Sequence, residues 1–176
     1  MKKSVLLLLS CVVLVGGLLA AGPASVASDQ GTTKILKFQT MVGVPRPYTG
    51  GTNAIRGVPG GGLPWVLGQA MGKLKANGRI QVEVQGLVLD PNDADVIAAG
   101  LAGKNPVPNF KAIVSCMSKD AAGTMATTVN VETALFPASM TGDSEIDDTV
   151  NLPKPCIAPI VFVTSPAGQW FAATGM

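Results

Sequence analysis

The chain has 176 residues, of which 14% are charged and none is histidine. Without histidine there is no Ser-His-Asp or Cys-His catalytic arrangement and no His-ligated zinc site. The formal excess of +2 equals the charge of Lys2 and Lys3 at the chain start, and the neutral remainder gives no electrostatic reason to expect nucleic acid or an anionic membrane as partner.

The first element in chain order reads as a targeting segment. Lys2 and Lys3 precede an apolar run from Val5 to Ala21 that breaks at Gly22 and Pro23, followed by the small residues Ser25-Val26-Ala27. Basic start, apolar middle and small-residue end are the three parts of a secretory signal peptide. The reading therefore assigns residues 1–27 to a signal peptide and starts the mature chain at Ser28. An uncleaved anchor is the alternative, but the run is short against the roughly 20 residues of a membrane span. "LLSC" at 8–11 resembles a lipoprotein box, yet Cys11 lies too early, because an apolar region normally needs about 7 to 15 residues. Cleavage takes Lys2 and Lys3 from the 13 basic residues and leaves 11 against 11 acidic ones, so the mature chain is formally neutral.

Gly and Pro supply 21 and 13 positions, above the usual combined share of about 12%, and this punctuation favours turns over helices. "KILKFQTMV" (34–42) reads as a first strand. "GVPRPYTGGTNAIRGVPGGGLPW" (43–65) has neither helical nor strand period, and its length makes it a candidate functional loop. Residues 28–64 are thus an N-terminal strand plus a Gly/Pro-rich loop, and 65–176 the main part of one domain spanning 28–176. In "AMGKLKANGRIQVEV" the Asn77-Gly78 pair predicts a β-hairpin, and Ile80, Val82 and Val84 alternate with Gln81, Glu83 and Gln85. "DPNDADVIAAGLAG" (90–103) predicts a short helix with Asp90 as N-cap, Pro91 at its first position, Asp93 and Asp95 in its first turn, and Gly100 or Gly103 to stop it. Strands follow at 110–117, 127–136, 144–152, 156–163 and 169–174. Pro159 inside the fourth of these marks an edge or a bulge.

The expected fold is all-β: a single antiparallel β-sandwich of about eight strands with one short helix and one inter-strand disulfide. Loss of Cys11 with the leader leaves Cys116 and Cys156, and an even pair in an exported chain is most simply a disulfide. Alternation places Phe110, Ala112, Val114 and Cys116 on one face of their strand and Cys156, Ala158, Ile160 and Phe162 on one face of theirs. That arrangement predicts a bridge running between two sheets through a sandwich core.

The words "FKAIVSC", "FPAS" and "PCIAPIVFVTSPAGQWFAATG" are similar to those of an uncharacterised family of secreted bacterial proteins, a likeness covering about residues 57–175 that implies export but no activity. The strand rhythm and single cysteine pair also resemble immunoglobulin-like sandwiches, although no tryptophan stands between the two cysteines.

Candidate sites are few. Tyr48, Trp65, Trp170 and Phe171 are candidates for a stacking platform that binds a sugar or a peptide, with core packing the competing role. In "GDSEIDD", Asp143, Glu145 and Asp147 share one strand face with Asp148 beside it. Spacings of about 6.8 Å and the lack of an EF-hand glycine and terminal glutamate make these weak metal candidates. Ser115, Ser118 and Lys119 offer a remote Ser-Lys combination. No catalytic residue, metal or cofactor is assigned. The expectation is a secreted or cell-surface, non-catalytic module that binds an extracellular ligand (glycan, cell wall or protein), with no nucleic-acid partner and no membrane contact after cleavage. An extracellular hydrolase using paired carboxylates and a calcium-dependent adhesion module are the alternatives.

Overall fold

A computed structural model describes residues 33–124 and 126–175. The proposed leader, residues 1–27, lies outside the described residues. Twelve strands and one helix follow in order: β1 (Lys34–Phe38), β2 (Val42–Gly43), β3 (Trp65–Val66), β4 (Gln69–Lys75), β5 (Arg79–Gln85), β6 (Val88–Leu89), α1 (Ala94–Ala98), β7 (Asn109–Lys119), β8 (Ala126–Glu132), β9 (Phe136–Pro137), β10 (Ser144–Thr149), β11 (Ile157–Thr164) and β12 (Trp170–Ala173). The pairing is antiparallel within two main sheets. One runs β1-β4-β5-β10; the other runs β2-β12-β11-β7-β8, with β9 added to β7, and β3 pairs β6 separately. Buried residues from both main sheets join one apolar core, which is the packing of a β-sandwich.

Local chemistry explains the elements that fix this frame. Gly78 turns the β4–β5 hairpin at φ +88°, a left-handed conformation that costs glycine nothing, and Arg79 N–H donates to the Asn77 side chain at 3.1 Å. Along β5, Ile80, Val82 and Val84 are buried while Arg79, Glu83 and Gln85 are exposed. The alternation seen in sequence thus becomes one core face and one wet face. In β7 the predicted face of Phe110, Ala112, Val114 and Cys116 is fully buried, and Lys111, Ile113 and Ser115 on the other face are buried as well.

The helix begins three residues later than its first acidic candidate. Asp93, not Asp90, is the N-cap and accepts from the N–H groups of Asp95 and Val96. Asp90 instead accepts from Asn92 N–H at 2.9 Å, closing a local turn around Pro91. Burial of Val96 sets the later start, because it brings the single core-facing side chain of α1 inward.

Cys116 and Cys156 form the expected disulfide, with Cα atoms 4.9 Å apart. Its placement differs from the expectation. Cys116 lies in β7 and Cys156 immediately precedes β11, the neighbour of β7 in the same sheet, so the bridge ties adjacent strands and does not cross between sheets. The cause is the strand order, and a bulge also changes the faces: the β11–β7 register shifts between Ile157 and Ile160, where Ala158 takes φ +46°. Beyond it Val161 pairs Val114 and Val163 pairs Ala112. Cross-strand partners share a face, so Val161 and Val163, and not Ile160 and Phe162, lie on the side of Cys116. Pro159 sits inside that bulge in a central strand, where its missing N–H removes no regular ladder bond.

The residue 43–65 segment is tied down along its length. Trp170 N–H donates to Pro59 O, Gly61 N–H to Trp170 O, and Trp65 N–H to Val44 O. Arg46 joins it to the helix start through Asp93 and Asp95, and Arg56 donates to the carbonyls of Ser115 at 3.0 Å and Ala158 at 2.8 Å. The second contact satisfies a carbonyl freed by the bulge.

Candidate functional site

The aromatic candidates separate into core and surface. Trp65, Trp170 and Phe171 are 4%, 0% and 4% exposed. Trp65 stacks on Phe171 with ring centroids 3.9 Å apart, and Phe110 meets both edge-on. Trp170 packs instead against Phe162. Successive residues of β12 are therefore buried on both sides, because the Gly/Pro-rich segment covers one of them. Tyr48 alone of the four is at the surface, 38% exposed. The structure does not bring these rings together as an open stacking platform.

The acidic stretch is mostly occupied with structure. Asp143, in the turn before β10, accepts from Gly86 N–H at 2.9 Å and from the Thr141 and Ser139 hydroxyls at 2.7 and 3.2 Å. The Thr141 hydroxyl and then the Gly86 amide hold its carboxyl below the usual carboxylate range. Asp147 accepts from Gln81 at 2.8 Å and Arg79 at 2.9 Å, and Gln81 first, then the Arg79 charge, lowers it likewise. Asp148 accepts from Ala134 N–H at 2.8 Å. No group of three or more metal-ligating side chains occurs among the described residues. Ser115 is fully buried in β7, and Ser118 and Lys119 point to opposite faces of that strand.

Glu145 is the exception. Its side chain makes no hydrogen bond or ion pair among the described residues, and it stands directly opposite Glu83 across the β5–β10 ladder. Both are exposed. They form one end of an open groove of about 510 Å³ on the solvent face of the four-stranded sheet. Met71 and the backbone at Gly72 contribute its floor, and Lys34, Lys37 and Lys73 stand toward the other end. On the opposite, core-facing side of the sheet Phe38 lies over Gly72, where glycine lets the aromatic edge close down. None of the individual signals for this groove is local in sequence, since its residues come from β1, β4, β5 and β10.

Like charges are paired across strands on this face. Lys37 pairs Lys73 and Lys34 pairs Lys75 between β1 and β4, while Glu83 pairs Glu145 between β5 and β10. Directly opposed like charges destabilise a sheet. A surface serving only solubility would intersperse the signs; here β1 and β4 carry opposed lysines, while β5 and β10 carry Glu83, held by Gln85 at 2.9 Å, opposite the unpartnered Glu145, beside the Arg79–Asp147 ion pair. No protein family, curated protein or solved structure matches this chain.

Proposed function

We propose that the chain is an exported, non-catalytic binding module and that its ligand lies in the groove on the outer face of the four-stranded sheet. The carrying observation is the segregation of like-charge pairs at the two ends of that groove, which a ligand of complementary charge would relieve. Export is supported by the leader-like residues 1–27 and by the Cys116–Cys156 disulfide, a bond that persists in oxidising compartments. No described helix is long and apolar enough to cross a membrane. Because Trp65, Trp170 and Phe171 are buried, a glycan would find little aromatic surface to stack on, and a charged peptide or protein segment suits the groove better. The test is backbone-amide chemical-shift mapping of the mature protein against cell-wall fragments, oligosaccharides and peptides. Shifts gathered at Lys37, Met71, Glu83 and Glu145 support the reading, and shifts gathered around Tyr48 contradict it.

Glu83 opposite Glu145 favours one second reading, a hydrolase with paired carboxylates. Hydrolysis of chromogenic glycosides by the mature protein, abolished by Glu145→Gln, would establish it in place of the binding role.

A further inference from the structure

We infer that the groove takes a short peptide with free termini, lying across the strands with its ammonium group at Glu83 and Glu145 and its carboxylate at Lys34 and Lys37. This rests on the binding role proposed above for the same face. The direction follows from the charges: the basic end of the groove is on β1 and the acidic end on β10, the two outer strands of the sheet. Three inter-strand spacings of about 4.8 Å each separate these strands, and two separate the middle of the Lys37–Lys73 pair from the middle of the Glu83–Glu145 pair, so opposite charges of a bound ligand would lie about 10 to 14 Å apart. An extended chain spans about 3.3 to 3.6 Å per residue, and four residues cover about 13 Å.

The floor fits such a ligand. Met71, 38% exposed at mid-sheet, offers a flexible thioether that adapts to different side chains. An ammonium group between Glu83 and Glu145 would turn a repulsive cross-strand pair into a shared counter-ion site, and a carboxylate would do the same near Lys37 and Lys73.

A second copy of the chain is the competing occupant, because a two-fold axis along the strands would lay lysines over glutamates. The face is too small for it. Four strands of about six residues make a surface of roughly 20 Å by 20 Å, about half of the roughly 800 Å² per partner that stable interfaces bury.

Binding of a free tetrapeptide of alternating alanine and leucine to the mature protein, followed by amide chemical shifts, tests the assignment against its N-acetylated and C-amidated forms. The expected result is groove shifts with the free peptide and about fivefold weaker binding for each capped form, the scale of one exposed ion pair. Glu145→Gln should remove the penalty of N-acetylation, and Lys37→Gln should reduce that of C-amidation. Equal binding of free and capped peptides, or groove shifts only with oligosaccharides, overturns the peptide assignment while leaving the groove as the binding face. Groove shifts that depend only on protein concentration, with a dimer in sedimentation, assign the face to a second copy instead. Absence of groove shifts with every probe defeats both the assignment and the binding role beneath it.

Discussion

Arg56 reaches both the Ser115 carbonyl in β7 and the Ala158 carbonyl in the β11 bulge, at 3.0 and 2.8 Å. One guanidinium thus clamps the Gly/Pro-rich segment across two strands of the six-stranded sheet. Asn130 of β8 adds a bond to the Arg56 carbonyl at 3.0 Å. Arg56→Ala leaves two carbonyls without this donor and is expected to cost about 1 to 3 kcal/mol. Both bonds come from one guanidinium nitrogen, so Arg56→Lys, which keeps a cationic donor on a shorter-reaching side chain, should recover part of the loss. Urea denaturation of the three proteins checks this, and equal midpoints would show that the clamp contributes nothing.

The Cys116–Cys156 bond should leave no free thiol in the oxidised protein. Cys116→Ala or Cys156→Ala is expected to lower stability by about 2 to 5 kcal/mol. The double variant should lose little more than either single one, because one change already breaks the bond. Thiol labelling under denaturing conditions and a double-mutant cycle read both outcomes; fully additive losses would contradict a bonded pair.

Gly78 carries a backbone conformation that other residues adopt with strain, and a Cβ built on it lies 1.9 Å from the Val150 carbonyl oxygen. Gly78→Ala must therefore move the hairpin tip away from Val150, just past the end of β10. The expected cost is about 1 to 3 kcal/mol, read from the thermal midpoint. An unchanged midpoint would mean that the tip does not pack as described.

Stability should fall in acid through three aspartates. Hydrogen bonding from Arg46 lowers Asp93, and the donors named above lower Asp143 and Asp147, all from an ordinary value of 3.8. A depressed folded-state pKa contributes stability that is complete above the unfolded value and is lost as pH falls through the folded one. Denaturation midpoints should accordingly be level, as far as these groups are concerned, from pH 7 to about pH 5 and decline below about pH 4. The triple variant Asp93→Asn, Asp143→Asn, Asp147→Asn should show a shallower decline; an identical acid limb would assign it to other groups.

The parts of the fold legible in sequence are those governed by local period and turn chemistry. Asn77-Gly78 marks its hairpin, and the alternation through β5 marks its buried face, whereas β7 is buried on both faces. Positions decided by tertiary contact were not legible. The bulge at Ala158 resets β11, so a period-two reading carried through it places Ile160 and Phe162 on the wrong side of Cys116. The cover over β12 buries Trp170 and Phe171 on opposite faces, where alternation anticipates one wet face. The short strands β3 and β6 have too few residues to show a period. For the candidate site, Glu145 was visible as an acid in a strand, but its opposition to Glu83 is a matter of register. Lys34, Lys37 and Lys73 carried no signal, because exposed lysines on a strand are ordinary until the charges beside them are known.

Comparing Met71→Glu with Tyr48→Ala tests the central claim most directly, since the first variant puts a like charge beside the acidic end of the groove and the second removes the surface aromatic of the Gly/Pro-rich segment. Both variants and the parent protein are titrated with the strongest binder from the chemical-shift panel, after confirming equal thermal midpoints. If the outer face of the four-stranded sheet is the binding surface, Met71→Glu changes affinity at least fivefold and Tyr48→Ala leaves it as it was. Affinity lost in Tyr48→Ala and kept in Met71→Glu would contradict the account and move the site to the residue 43–65 segment.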